Sequence, residues 1–108
     1  MAITQAMCTS FKEECLEEGH QMATDTIKIA LYTSSASMDA TTTAYSTSNE
    51  ISGTGYSAGG VALTSQTVAT SGTTAYFDAA DPSWTSASFT ANGALIYNST
   101  NSNKAIAV

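Results

Sequence analysis

The chain has no arginine, three lysines, one histidine and one proline, and only 11% of its 108 residues are charged. Globular domains usually carry about 25% charged residues. Each shortage removes a class of function. Lys12, Lys28 and Lys104 stand far apart in a chain of net charge −6, so no basic footprint exists for nucleic acid or for an anionic membrane. With a single imidazole, His20, and two thiols, Cys8 and Cys15, there is little from which to build acid–base or metal chemistry, and no cofactor or metal is expected. No run reaches the roughly 18–20 apolar residues that a membrane-spanning helix needs. The start, Met1-Ala-Ile-Thr-Gln-Ala-Met-Cys8, lacks the basic region and apolar stretch of a signal peptide. Asn98-Ser99-Thr100 has the letters of a glycosylation acceptor, which without a secretion signal reads as chance. On a helix, Cys8 and Cys15 would lie about 10 Å apart, beyond disulfide reach, so unpaired thiols and synthesis in a reducing cytoplasm are expected.

What the chain does have is hydroxyls: 18 Thr and 15 Ser, beside a hydrophobic share of 43%. That share is close to a globular one, and the length fits a single domain spanning residues 1–108. A domain of this size buries roughly 60–68% of its unfolded surface, a real but small core to which partner subunits would add stability.

Residues 4–18 read as a helix, with Thr4, Cys8, Phe11, Cys15 and Met22 on one stripe and Thr4 as N-cap. Gly19 fits just past its end, and His20 follows where a cation complements the helix dipole. Residues 26–33 then alternate, with Ile27, Ile29 and Leu31 on one face and Lys28, Ala30 and Tyr32 on the other, a strand with one face in the core. Residues 34–60 are a long Ser-, Thr- and Gly-rich loop, with a short helical turn expected within 41–51. Short β segments follow at 61–64, 66–70, 73–78, 86–90, 94–98 and 104–108, punctuated by Ser71-Gly72, Asp81-Pro82 and Asn92-Gly93. Thr favours such strands through its branched side chain. The expected fold is mainly β, a β-sandwich or barrel-like domain with one N-terminal α-helix. The last segment ends while still apolar at Ala105-Ile-Ala-Val108, so the strand is expected to be either cut short or completed by a neighbour.

The candidate sites are few. Gly53-Thr-Gly-Tyr-Ser-Ala58 has the letters of a dinucleotide fingerprint, but Gly59-Gly60-Val61 behind it reads as a turn and strand. A turn rich in positive φ is expected there. Any Ser-His-Asp arrangement must use His20, and a helix-terminal structural histidine is the better reading. Cys8 and Cys15 lack ligand spacing and are expected as buried small hydrophobes. Glu13, Glu14, Glu17 and Glu18 read as a solvated acidic face. Asp78 and Asp81 would be the carboxylate pair of a carbohydrate-acting enzyme, and Trp84 with Tyr32, Tyr45, Tyr56, Tyr76 and Tyr97 the platform of a glycan-binding module. A turn at Asp81-Pro82 leading into a packed Trp84 accounts for the same residues. No residue is assigned a catalytic, cofactor or metal role.

Four stretches carry a resemblance: Met1-Ala-Ile-Thr-Gln-Ala-Met-Cys-Thr-Ser-Phe-Lys12; Lys28-Ile-Ala-Leu-Tyr-Thr-Ser-Ser35; Thr43-Ala-Tyr-Ser46 with Asn49-Glu-Ile-Ser-Gly-Thr-Gly-Tyr-Ser-Ala-Gly-Gly60; and Gly93-Ala-Leu-Ile-Tyr-Asn-Ser99 with Asn103-Lys-Ala-Ile-Ala-Val108. In these the chain resembles a family of small virion structural proteins of tailed bacteriophages. Members of that family continue past the position of Val108 into further strands. The resemblance implies a non-enzymatic component of the phage particle, made in the host cytoplasm and residing in the virion. Its implied partners are capsid or tail proteins and other copies of itself. A capsid decoration (cement) protein is the expectation, and a tail- or fibre-associated adaptor or receptor-binding module the alternative.

Overall fold

In the computed structural model, which describes residues 3–17 and 19–108, the alternating segment forms strand β1, Ile27–Tyr32. It pairs antiparallel with β2, Val61–Ala62, on one side and with β5, Gly93–Asn98, on the other; β5 in turn pairs with β6, Lys104–Ala107. The sheet order is β2-β1-β5-β6, and a separate hairpin joins β3, Thr67–Ser71, to β4, Thr74–Asp78. With 33% strand and 8% helix the chain is mainly β, two antiparallel sheets and one short helix in a small β-sandwich-like domain.

Directly opposed residues of an antiparallel ladder point to the same face. Ala30 lies opposite Leu95, Tyr32 opposite Gly93 and Tyr97 opposite Ala105, and this face holds most of the deeply buried side chains. Ala36 and Met38 from the following loop, and Cys8 and Phe11 from the N-terminal region, join it in one apolar cluster. The structure thereby settles which face of β1 is the more deeply packed. Ile27 is buried, but Ile29 and Leu31 are only half covered, while Ala30 and Tyr32 are fully packed. Alternation separates two faces of a strand; which one is sealed depends on where the loop returns.

The helix is shorter than expected. It is α1, Thr9–Leu16, and Cys8 occupies its N-cap with extended backbone and no side-chain cap bond. Thr4 is exposed, and its N–H donates to Met38 O at 2.9 Å instead of starting a helix. Ala6 and Val108 exchange N–H···O bonds of 3.1 and 2.9 Å, and Cys8 N–H donates to Ile106 O at 2.9 Å. Further along, Tyr45 N–H reaches Asn103 O and Ala105 N–H reaches Thr43 O, both at 2.9 Å. The outer edge of β6, the strand expected to be cut short or completed by a neighbour, is therefore filled from within. Unpaired backbone groups beside a core are costly, and that cost outweighs one more turn of helix. Only Phe11 of α1 is buried, so the helix meets the sheet through its first turn. Cys8 is buried as expected, but Cys15 lies beyond that contact and is exposed. Glu18, together with Met1 and Ala2, lies outside the described residues.

The stretch 34–60 is irregular, without the helical turn expected within 41–51, yet it is closely tied. Thr33 N–H donates to Asn49 O and Ile51 N–H to Leu31 O, both at 2.9 Å, so the loop returns along the edge of β1. Asp39 Oδ1 accepts from Thr41 N–H at 2.8 Å and Thr41 Oγ1 at 2.6 Å, the self-bonding turn chemistry of Asp and Thr. Those bonds hold the Asp39 carboxyl below its usual range. The expected strand at 86–90 reduces to a single bridge between Ser88 and Thr54. In the hairpin, Gly72 adopts φ 61° between Ser71 and Thr74, the first-position glycine of a type II′ turn.

Candidate functional site

Two partly buried polar clusters and one exposed arm are the features with functional potential. The first cluster centres on Glu50, a carboxylate standing alone in charge between Asp39 and Asp78. It sits where the loop comes back beside Tyr32, forming a bridge with that residue. Its Oε1 accepts from Tyr45 Oη at 2.6 Å, while Oε2 accepts from Tyr56 Oη and, at 2.8 Å, from Gly59 N–H. The tyrosines extend the web. Tyr56 Oη also accepts from Leu31 N–H at 3.0 Å, Tyr97 Oη donates to Gly59 O at 2.6 Å, and Tyr32 Oη donates to Ser46 O at 2.6 Å. Tyr45 and Tyr97 stack at 4.6 Å between ring centroids. Burial pushes the Tyr32 phenol up to about 12, with the nearby Glu50 charge adding to it. Burial first, then the Glu50 carboxylate, also raises Tyr45, Tyr56 and Tyr97. Four of the five tyrosines are thus elements of one clasp that fastens the long loop to the sheet. Residue spacing alone did not group them. The available signal was an isolated acid between aromatics, Tyr45 before it and Tyr56 after it.

Gly60 closes that clasp. Its φ is +79°, and an added Cβ would lie 1.8 Å from Ile29 O, so only glycine lets the turn approach β1 this closely. Gly55 and Gly59 also take positive φ, as expected of this turn, and strand β2 follows instead of a helix. The geometry lacks the helix N-terminus that a pyrophosphate requires.

The second cluster gathers around Asn98, fully buried at the end of β5. Its Nδ2 donates to Asp25 Oδ2 at 2.7 Å and lies 3.0 Å from His20 Nδ1, and its Oδ1 accepts from Thr100 and Asn101 N–H at 3.0 and 3.1 Å. The amide has no bonding capacity left over. His20 presents Nε2 to Glu14 Oε1 at 2.8 Å, with its side chain 0% exposed. Phe11 packs on the imidazole at 4.8 Å, and Lys104 Nζ stands 3.7 Å from Glu14 Oε2. The Asn98 bond, backed by Gln21 N–H, holds the Asp25 carboxyl below its usual range. Both imidazole nitrogens are occupied, leaving neither for a serine or threonine hydroxyl. His20 follows a helix that ends at Leu16, and it acts as a rivet between α1, the 19–25 segment and β5. Glu14 belongs to this cluster and not to the solvated acidic face on which Glu13 and Glu17 lie.

The remaining candidates are dispersed. Asp78 and Asp81 are exposed, and Trp84 is half-buried beside Tyr56 at 6.2 Å, its Nε1 buried without a partner. The Cys8 thiol is pushed up by burial and by the Asp39 and Glu14 charges, which makes it a poor nucleophile. Burial and Glu14 raise Cys15 in the same direction. Among the described residues no group of three or more His, Cys, Asp or Glu converges as metal ligands would, and no helix is long and apolar enough to cross a membrane. A half-open cavity of about 430 Å³ lies against the loop, floored by Tyr32, Met38 and Leu95 and rimmed by the hydroxyls of Ser35, Thr42 and Ser46.

The exposed arm is the β3–β4 hairpin. Among the described residues it packs against no other helix or strand, and Val68 and Tyr76 are 54% and 46% exposed. Its root is tied to the body where Gln66 Nε2 donates to Met22 O at 2.6 Å and Asp25 O at 3.0 Å. From Ile51 to Asn103 the only charged residues are Asp78 and Asp81, so one carboxylate is all the charge the two strands carry. Comparison of the chain with family profiles, with curated proteins and with solved structures finds no match.

Proposed function

We propose that this chain is a non-enzymatic structural protein of a tailed-phage particle, a capsid decoration protein that bridges neighbouring shell subunits. The reading rests on the resemblance of its Gly53–Gly60 block and flanking segments to small virion proteins. One structural observation supports it above the others: an almost uncharged β arm, packed on no other strand or helix among the described residues, projects from a body whose Glu50, His20, Asp25 and clasp tyrosines are already engaged in internal hydrogen bonds. Exposed, uncharged strand edges are recognition surfaces, since their backbone groups pair with any strand of matching direction. The acidic body suits a protein displayed in many copies, because like charge keeps free copies soluble.

In this role the protein adds contact area between capsid subunits, and a specific contact buries at least about 1,000 Å². The test is a comparison of particles assembled with and without this protein under a heat and pressure challenge. Particles lacking it are expected to release their genome under milder stress. Equal resistance would overturn the cement role, and immunogold labels confined to the tail would move the protein to the tail-associated alternative.

A further inference from the structure

We infer that the outer edge of β4 is a homotypic docking edge, on which two copies of this chain pair antiparallel about a two-fold axis through Tyr76. Beyond its root at Gln66 the hairpin packs against no other strand or helix among the described residues, and a two-stranded ribbon alone is marginal in water, whereas a four-stranded sheet is not. The II′ turn fixes which groups face out. Ser71 and Thr74 flank the two-residue turn and bond each other, as do Ala69 with Tyr76 and Thr67 with Asp78. Ala75 and Phe77 therefore direct their N–H and C=O groups outward, and among the described residues nothing hydrogen-bonds them.

The two-fold register at Tyr76 uses all of these groups. Ala75 of one copy meets Phe77 of the second, and Phe77 meets Ala75, giving four backbone bonds. Tyr76 faces Tyr76 of the second copy in the close, non-hydrogen-bonded pairing, where aromatic pairs favour association. Asp78 falls opposite Thr74 of the second copy, so the two carboxylates are kept four residues apart, roughly 14 Å along the strand and beyond the Debye length of about 8 Å. The same operation on β3 would set Ala69 against Ala69, with no aromatic pair. No lysine, proline or bulge guards β4 against such pairing. A strand from another protein would meet the same edge, but only a second copy supplies this matched placement of Tyr76 and Asp78.

The inference goes beyond the particle reading and stands or falls separately. In a Cys15→Ser background, which removes the exposed thiol, Tyr76→Cys is expected to form a disulfide-linked dimer on mild oxidation. Opposed residues of a non-hydrogen-bonded pair lie about 4.5 Å apart at Cα, within disulfide range. Ala69→Cys is expected to stay monomeric. Cross-linking of Ala69→Cys alone, of both variants or of neither would overturn the proposal. By sedimentation equilibrium the full chain is expected to show a concentration-dependent dimer, and Ala75→Pro, which removes only an outward N–H, to weaken it about tenfold. Should Ala75→Pro lose its native circular dichroism, Tyr76→Lys gives the same reading through opposed ammonium groups. An unaltered dimer in the folded variant, or a monomer at every concentration, would also overturn it. A monomer that still protects particles would sink this inference and leave the decoration role standing; a dimer on particles indifferent to its loss would do the reverse.

Discussion

The four-stranded sheet and the β3–β4 hairpin draw on the same Thr-rich composition and end up as opposites. In the sheet, each free backbone edge of β6 is met by another part of the chain, and two polar clusters tie loops to strands. In the hairpin, the strands pair only with each other among the described residues, and large side chains stay in contact with water. The difference lies in the connections. The 34–60 loop carries Glu50 and the tyrosines that fasten it down along its length, whereas the hairpin is held at its root, where Gln66 Nε2 donates to Met22 O and Asp25 O at 2.6 and 3.0 Å, and its one carboxylate, Asp78, accepts at Oδ1 from its neighbour Ala79 N–H. Local β pattern makes a strand, but long-range polar ties decide whether that strand belongs to the body.

Breaking the tie between loop and sheet carries the largest expected effect. Gly60→Ala forces a positive φ on alanine and drives Cβ into Ile29 O, 1.8 Å away, so β2 must part from β1. The expected loss is about 4 kcal/mol, from left-handed strain plus overpacking, read as a fall in the urea midpoint. Glu50→Ala comes next. It leaves two tyrosine hydroxyls and the Gly59 N–H without their acceptor, for an expected loss of about 3 kcal/mol. Glu50→Gln keeps acceptor capacity on one oxygen and should lose about half as much. A Glu50→Ala protein as stable as the parent would mean that the clasp is not what separates body from arm.

Alkali probes the same clasp without mutation. A phenol whose folded pKa is raised stabilises the fold below its unfolded value and loses that contribution as pH climbs to the folded one. Tyr32 moves from 10.0 to about 12, so stability should hold up to about pH 10 and decline above it. The fall attributable to Tyr32 is about 2 kcal/mol, measurable as urea midpoints across that interval together with the phenolate absorbance.

Much of this architecture was readable from residue order. The period-two run gave β1, the turn signals on either side gave the short segment that is β5, Ser71-Gly72 gave the hairpin turn, and the glycines from 53 to 60 gave positive φ. Each of those signals is local, set by the backbone preferences of the residues themselves. What could not be read was long-range pairing. Residues 4–8 have a helical apolar spacing, yet the demand of the β6 edge for backbone partners draws them into an extended segment. Cys15 sits correctly on the helical stripe and is still exposed, because the helix leaves the sheet after its first turn. Asn98 offered only a glycosylation triplet, although its amide lies fully buried between His20 and Asp25. The function classes were narrowed by what is scarce, but the groups that organise the interior were hidden by separations such as the 78 residues between His20 and Asn98.

The smallest expected effect is the one that sharpens the comparison most. Gly72 has positive φ like Gly60, but an alanine Cβ there would meet nothing within 4 Å. Gly72→Ala therefore strains only the turn, and its cost stays within the hairpin if that arm opens as its own unit. Global stability should change by no more than about 0.5 kcal/mol, while hairpin amides exchange with solvent several-fold faster than in the parent. Sheet amides such as those of Ala30 and Leu95 should keep their protection in both proteins. Had Gly72→Ala lowered the global midpoint as far as Gly60→Ala, the arm would be part of the cooperative body. Its exposed edge would then be a by-product of packing and not a surface held out for pairing.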